Sequence, residues 1–280
     1  VKELAGELSA LKAAPAADDY VGPVVFEGQA SAEFFNQLLC KNLTGIRPPE
    51  LQLDYSQETT EFYNKFKRRI LPKQFDVVDD PTIKEYNGKR LVGNYEFDSD
   101  GIRAQSVKLV NKGVLDNFLM SRVPIKQFNK SNGHGRSDYQ QAAGRIGNCF
   151  ITCGEGVPAA KLKEKLLEMC KEQDMKFGVI VRRLARDGNQ PVLAYRVYVD
   201  GGREELVRGF EISGVTARTL KDIVAASDES FVYNFYSNGV SGSVPASIIA
   251  PSILIEEVEL KKQTTENPKT PVLSHPYFAK

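Results

Sequence analysis

Apolar side chains recur every three or four residues in five segments of the chain, the spacing that places them on one face of a helix. These predicted helices span residues 3–13, 31–43, 59–69, 158–173 and 217–226. Other apolar residues alternate with polar ones or form the short runs typical of strands. The predicted strands cover residues 21–26, 75–78, 95–97, 107–110, 114–118, 149–153, 179–184, 193–199, 206–212 and 231–236, and a last apolar stretch runs from 248 to 260.

Helices that interrupt a mostly antiparallel series of strands are typical of an α+β domain. The sequence therefore predicts a mainly antiparallel β-sheet, or a partly closed barrel, with several flanking helices. A hairpin is indicated across residues 111–113, Asn-Lys-Gly, because asparagine and glycine suit tight turns. The stretch 129–148 is polar, rich in glycine and too long for an ordinary turn, so it is a candidate functional loop.

The charges of the chain nearly cancel. Its 280 residues contain 37 lysines and arginines against 36 aspartates and glutamates, a formal net charge of +1. A chain without a basic tract lacks the attraction that drives non-specific nucleic-acid binding, so we expect no nucleic acid as a partner. Its apolar runs fall short of the about 18 residues that a membrane-spanning helix needs, so we expect no membrane insertion.

Histidine and cysteine are sparse in this sequence. The two histidines are His134 and His275, and the four cysteines include one close pair, Cys149 and Cys153. If that pair lies on a strand, its Cα atoms are about 13 Å apart, whereas a disulfide requires less than about 7 Å. Zinc sites usually need a second close pair of ligands, which the chain lacks. We therefore predict that the four cysteines are plain buried thiols.

The segment from Ser131 to Arg136 carries the strongest local signal. Gly133 and Gly135 flank the central histidine and allow the backbone to approach a partner closely. His134 can donate or accept a hydrogen bond near neutral pH, and Arg136 offers a fork of donors for a carboxylate or a carbonyl group. The residues alone leave two interpretations open: a ligand-binding loop, or a long hairpin loop whose histidine and arginine bond neighbouring carbonyl groups.

Several segments together resemble the TldD/PmbA family, once called modulators of DNA gyrase and now grouped with metallopeptidases. The similarity runs in the family's order from about residue 18 to residue 260 and corresponds to the C-terminal half of the family. The matching segments are Tyr20–Gly28, Val77–Ile83, Tyr95–Gly101, Ala104-Gln105, Leu109–Leu115, Ser131–Arg136, Asn148 and Ile212–Gly214. The resemblance implies a helix and linker from a preceding domain over residues 1–17, the family domain over 18–262 and a polar tail over 263–280.

The resemblance also implies which catalytic groups to look for. TldD-like members resemble zinc peptidases, in which a helix with H-E-x-x-x-H and a late Cys-Gly-Lys stretch hold the metal. Zinc lowers the pKa of its bound water, and the glutamate takes up the proton. In this chain the corresponding helix, residues 31–41, has no histidine, and residues 231–239 have no cysteine. The chain therefore resembles the metal-free PmbA type, for which we expect no catalytic residue, no zinc and no other cofactor.

The family is thought to hold an unfolded peptide in a groove against a sheet edge, where main-chain groups do the pairing. The resemblance thus implies a non-catalytic peptide-binding or partner subunit in proteolysis, in a bacterial cytoplasm or periplasm. We expect a homodimer, or a heterodimer with a TldD-like subunit. The predicted substrate-binding or interface residues are Gly133, His134, Gly135, Arg136 and Asn148.

Two alternatives stay open at this point. One is an active hydrolase in which His134 assists Ser131, Cys149 or Ser241 as the nucleophile. Cleavage that persists in a His134→Ala protein would exclude it. The other is a purely structural, self-associating domain, which is favoured if added peptides leave the thermal stability unchanged.

Overall fold

The structure of the chain is a computed structural model that describes residues 2–46, 61–138, 141–185, 188, 190–239 and 242–263. This part of the chain contains many strands and few helices, which confirms the predicted α+β class. The helices are α1 (Lys2–Ala13), α2 (Gln29–Leu38) and α3 (Ala159–Glu172), and short 3-10 helices cover Cys40–Leu43 and Thr219–Lys221. None of these helices is long and apolar enough to cross a membrane.

The strands form one large sheet and two small hairpins. In chain order they are β1 (Tyr20–Phe26), β2 (Phe75–Asp79), β3 (Glu85–Tyr86), β4 (Lys89–Arg90), β5 (Val107–Asn111), β6 (Val114–Leu115), β7 (Gly135–Arg136), β8 (Ala143–Gly144), β9 (Asn148–Cys153), β10 (Phe177–Leu184), β11 (Pro191–Tyr198), β12 (Glu204–Val207), β13 (Phe210–Ser213), β14 (Ile223–Gly239) and β15 (Gly242–Lys262). The large sheet has the order β12-β11-β10-β1-β15-β9-β2-β5-β6, with β13 and β14 also paired to β15. The described strands therefore form an open, mixed sheet and do not close into a barrel.

Strand β15 is the spine of this sheet. It pairs antiparallel with β1, β13 and β14 and parallel with β9. Its central residues from Ile248 to Ile255 are almost all buried, as expected for a strand covered on both faces. The apolar stretch predicted over residues 248–260 belongs to this strand, because an uninterrupted apolar run suits a doubly covered strand.

Helices cover both faces of the sheet. Successive residues of β1 point to opposite faces, so Val24 and Phe26 join the core under α2, while Val25 joins the core under α3. The ring of Phe34 on α2 packs 4.8 Å from that of Phe26. Leu162 of α3 packs in the same cluster as Val25. The fold is thus a helix, a sheet and a helix in three layers.

Two predicted helices are wrong in the part of the chain that the structure describes. Residues 61–69 form turns closed by bonds such as Lys65 N–H to Phe62 O, and Lys67 has a φ of 59°, which is incompatible with a helix. Residues 217–226 contain only a short 3-10 helix, and from Ile223 onward the chain pairs with β15. Tertiary pairing with the spine has overridden the local helical spacing there.

Smaller differences concern boundaries. Helix α2 begins at Gln29 and is capped by Gly28, so Ser31, the predicted first residue, lies inside the helix and donates to the carbonyl of Pro251. The predicted strand 206–212 is interrupted at residues 208–209, between β12 and β13. Residues 95–97 form no strand, although Phe97 makes an isolated bridge to Arg103.

Candidate functional site

His134, which belongs to the predicted loop, is fully buried. Its Nε2 atom lies 3.0 Å from Oδ1 of Asp79, at the end of β2, and its Nδ1 atom lies 3.0 Å from the carbonyl oxygen of Asn132. Asp79 is also fully buried, and both of its carboxylate oxygens accept the backbone N–H of Gly147. Both imidazole nitrogens therefore face acceptors within the protein.

Arg136 is buried beside this pair and bridges two distant segments. One of its guanidinium nitrogens donates to the carbonyl oxygens of Pro245 at 2.7 Å and Ile146 at 3.2 Å. The guanidinium carbon lies 4.6 Å from the ring centre of Tyr95, whose hydroxyl donates to the carbonyl of Gly133. Burial lowers the pKa of Arg136 from its ordinary value, and Tyr95 partly opposes that shift. These contacts tie the loop to the start of β15.

The two loop glycines lie where neighbouring residues approach closely. Gly133 has a φ of +74°, and a Cβ there would lie 2.3 Å from the backbone oxygen of Arg103. A Cβ on Gly135 would lie 2.3 Å from the carboxylate of Asp100. The backbone N–H of Gly135 donates to Asp98 at 2.9 Å. The glycines therefore allow close packing of the loop against residues 98–103.

Asn148, the first residue of β9, holds a neighbouring loop in place. Its side-chain nitrogen donates to the carbonyl of Ile83 at 2.7 Å, and Asp80 accepts the backbone N–H of Thr82 in the same turn. Its side-chain oxygen is buried and has no hydrogen-bond partner in the described structure. Asn148 and the Asp79–His134 pair thus lie on adjacent paired strands, since Asp79 of β2 is opposite Cys149 of β9.

The structure therefore brings the predicted residues together around the end of β2 and gives their side chains protein partners. Asp79 is a central residue that inspection of the loop alone missed, although it lies in a segment that carries the family resemblance. The nucleophiles considered for a hydrolase are not bonded to the imidazole of His134. The Ser131 hydroxyl donates to the carbonyl of Met120, the Cys149 thiol contacts Cys40, and Ser241 lies outside the described residues.

A separate surface groove runs between α2 and β14, and we call it the α2 groove. It consists of two cavities of about 80 and 20 Å³, both of which are bordered by Asn36 and Lys41. On the opposite side, residues 235–238 of β14 border the larger of the two. A further cavity of about 240 Å³ also borders Gln37 but is lined by residues of β13 in place of β14. One wall of the groove is thus a helix face and the other is a strand.

Glu33 is a buried carboxylate in the helical wall. It accepts hydrogen bonds from the side-chain amides of Gln37 at 2.6 Å and Asn36 at 3.3 Å. Burial raises the pKa of Glu33 above its ordinary value, and the donors of Gln37, Asn36 and Tyr233 oppose the shift. The groove therefore contains a carboxyl group whose charge is disfavoured by the fold.

This pKa shift predicts a pH dependence of stability. Because the folded protein binds the Glu33 proton more tightly than the unfolded chain, this group's contribution to stability is fully present below about pH 4.5 and is lost as the pH rises through the folded pKa. Glu33→Gln should remove that loss, so the variant should gain stability relative to wild type between pH 4 and pH 8. Urea denaturation at both pH values measures this difference. Glu164→Gln, at an exposed position of α3, is the control. A relative stability that favours wild type more strongly at pH 8 would contradict the prediction.

The profile of the PmbA/TldA metallopeptidase C-terminal domain matches residues 19–262 of the chain. The chain belongs to this family. A metalloprotease of Archaeoglobus fulgidus is 26% identical over 208 residues, which cover 71% of this chain and 45% of the relative. A metalloprotease of Methanothermobacter thermautotrophicus is 28% identical over 204 residues, covering 68% of this chain and 41% of the relative. The chain thus spans less than half the length of these relatives, and the predicted resemblance is confirmed.

Two solved structures have a similar fold. TldE from Thermococcus kodakarensis has a TM-score of 0.65 at 17% identity, covering 93% of this chain and 54% of that protein. A protein described as a modulator of a DNA gyrase from Thermotoga maritima has a TM-score of 0.59 at 19% identity, covering 91% of this chain and 53% of that protein. At these identities the likeness shows the fold alone.

The family name implies a metal, so the residues near α2 can be tested for a fit. Helix α2 carries no histidine, and the carboxylate of Glu33 is bonded to two amides. Cys40, just after the helix, contacts Cys149 and no imidazole. Across the described ranges, no three His, Cys, Asp or Glu residues converge as a metal site. These residues do not fit the zinc site that the resemblance implies for TldD-like peptidases.

Proposed function

We propose that this PmbA/TldA-family chain binds an extended peptide in the α2 groove without cleaving it. The observation that carries the proposal is the groove itself, in which a polar helix face lies opposite strand β14. Within the described structure, residues 230–239 of β14 pair with β15 alone. The free edge of a strand that is paired on one side presents backbone N–H and C=O groups that an added strand can bond.

The chemistry of the walls supports a peptide as the ligand. Asn238 supplies an amide that can donate to or accept from peptide groups. The stacked rings of Tyr233 and Phe235, 5.0 Å apart, add apolar surface. A groove that combines apolar surface with a few polar groups suits the main chain of a peptide more than one particular side chain. The proposed substrate class is therefore unfolded polypeptide of varied sequence.

In this proposal, the five predicted site residues support the groove. Arg136 donates to Pro245, which pairs with Tyr236 of β14, and the nearby Arg145 donates to Ser237 in the groove wall. The His134–Asp79 pair and Asn148 hold the adjoining segments. In this proposal, the loop positions the strand that binds peptide, and its own side chains do not touch the ligand.

We also propose that the chain works as a dimer, with a second copy or with a TldD-like subunit that supplies the metal. The support is the histidine-free helix α2, together with a TldE among the solved structures of similar fold. In this arrangement the present chain holds peptide and its partner subunit cleaves it. Size-exclusion chromatography with light scattering, alone and mixed with a TldD-like protein, tests the assembly. A stable monomer that ignores the added subunit would contradict this part of the proposal.

Bulk in the groove should weaken peptide binding. Asn238→Trp and Lys41→Trp place indole rings at exposed positions that border the groove, so we expect at least about a tenfold rise in Kd, equivalent to about 1.4 kcal/mol. Fluorescence anisotropy with fluorescein-labelled casein fragments measures the affinity. Val224→Trp, on an exposed part of β14 that does not border the groove, is the matched control and should bind normally.

The same experiment separates the proposal from its alternatives. Equal affinity in wild type, both groove variants and the control would place the peptide elsewhere. Absence of binding, with no rise in thermal stability on adding peptide, would instead favour the purely structural domain, because a ligand of the folded state must raise its stability.

A further inference from the structure

Two cysteines that are distant in sequence meet beneath the α2 groove. The Sγ atoms of Cys40 and Cys149 lie 3.8 Å apart, although the residues are separated by 109 positions. Cys40 begins the 3-10 helix that follows α2, and Cys149 lies on β9 in the large sheet. A bond between them would therefore join the helical layer to the sheet.

Both cysteines are buried, but only Cys40 borders a cavity of the groove, the smaller one, next to Lys41 and Thr44. A small oxidant that enters this cavity therefore meets Cys40 first. Hydrogen bonding to Cys40, together with burial, raises the pKa of the Cys149 thiol, which disfavours its reactive thiolate form.

We propose that Cys40 and Cys149 form an oxidation site that closes into an intramolecular disulfide, with a hydroperoxide as the oxidant. The Cys40 sulfur attacks the peroxide oxygen, the O–O bond breaks, and Cys40 sulfenic acid and one water molecule (or alcohol) are formed. The Cys149 sulfur then attacks the Cys40 sulfur and displaces hydroxide, which takes up the Cys149 proton as a second water. Two thiols are oxidised and one peroxide is reduced.

The geometry requires only a small movement. A disulfide is about 2.05 Å long, so the sulfur atoms must approach by about 1.8 Å from their present separation. The bond would anchor the end of α2, one wall of the groove, to β9. The other two cysteines provide internal controls, since Cys153 is half-buried at the end of β9 and Cys170 is a buried residue of α3 beside Tyr20.

The test is to treat the folded wild-type chain with hydrogen peroxide, quench it and map its disulfides by mass spectrometry without reduction. We expect a loss of two hydrogen masses, a linked peptide that contains Cys40 and Cys149, and full reversal by dithiothreitol. Closing so long a loop should raise Tm by about 5 °C or more. A link that involves Cys153 or Cys170, or Cys40 and Cys149 both still free, would overturn the proposal.

Cysteine variants test the same link. Cys153→Ala and Cys170→Ala should still form the link, whereas Cys149→Ala should stop at the sulfenic acid of Cys40, which dimedone traps. If Cys149→Ala does not fold, the wild-type map alone decides the proposal. Since the map is made without peptide, its failure would leave the proposed peptide binding untouched, and failure of peptide binding would leave the map unchanged.

Discussion

Replacing Asp79 by alanine is expected to lower the free energy of unfolding by about 3–5 kcal/mol, because it leaves more than one buried hydrogen-bonding group without its partner. The buried carboxylate has no contact with water and has His134 Nε2 at 3.0 Å and the N–H of Gly147 as partners. The variant leaves both groups without this acceptor in the core, where each unsatisfied polar group costs about 1–3 kcal/mol. Urea denaturation at neutral pH measures the change.

A surface carboxylate provides the matched comparison. Asp116 forms an exposed ion pair with Lys67, and such pairs contribute only about 0–1 kcal/mol. Asp116→Ala should therefore change the stability little under the same conditions. A loss of less than about 1 kcal/mol in Asp79→Ala would mean that the Asp79–His134 pair does not support the fold. That result would favour a role for the loop at the solvent-exposed surface.

Replacing Gly93 by alanine is expected to cost about 3 kcal/mol, at the upper end of the usual range for overpacking. A Cβ at this position would lie 2.0 Å from the backbone oxygen of Gly147 and 2.7 Å from the side-chain oxygen of Asn148. Backbone cannot move aside as a flexible side chain can, so the two segments must separate. That separation would also disturb Asn148 and the Gly147 bond to Asp79. Thermal and urea unfolding of the variant measure the cost.

Gly154→Ala is the control for this substitution. A Cβ on Gly154 would have its nearest neighbour at 3.8 Å, an ordinary contact, so we expect a change of less than about 0.5 kcal/mol, typical of surface positions. Similar losses in the two variants would show that loss of glycine flexibility matters more than the close approach of residues 93 and 147.

Local patterns predicted those elements whose sequence and surroundings agree. Helix α3 has an apolar stripe through Leu162 and Leu166 that the sheet covers, and the β5–β6 hairpin turns at Lys112 and Gly113, which both take positive φ. Residues 217–226 carried an equally clear helical spacing. Their pairing with β15, which ends more than 30 positions later in the chain, is invisible in any local window.

For the site, the family resemblance pointed to the right segments but could not state their role. His134, Arg136 and Asn148 do lie together, yet their side chains bond backbone and side-chain groups of the same chain. Whether a polar residue faces solvent or the interior depends on what packs over it, and that depends on several distant strands. The α2 groove could not be predicted from the sequence for the same reason, because its two walls are separated by about two hundred positions in the chain.

The amino-acid order by itself determined the α+β class, the near-neutral charge, the family and the absence of histidine from the helix where TldD-like peptidases hold zinc. These properties depend on residue identity and short-range periodicity, which the chain carries wherever it folds. Only the tertiary structure decided that His134 and Arg136 are buried and bond groups of the same chain, that Cys40 meets Cys149, and that α2 and β14 enclose a groove. Each of these depends on contacts between residues far apart in the chain, and the packing of the whole sheet sets those contacts.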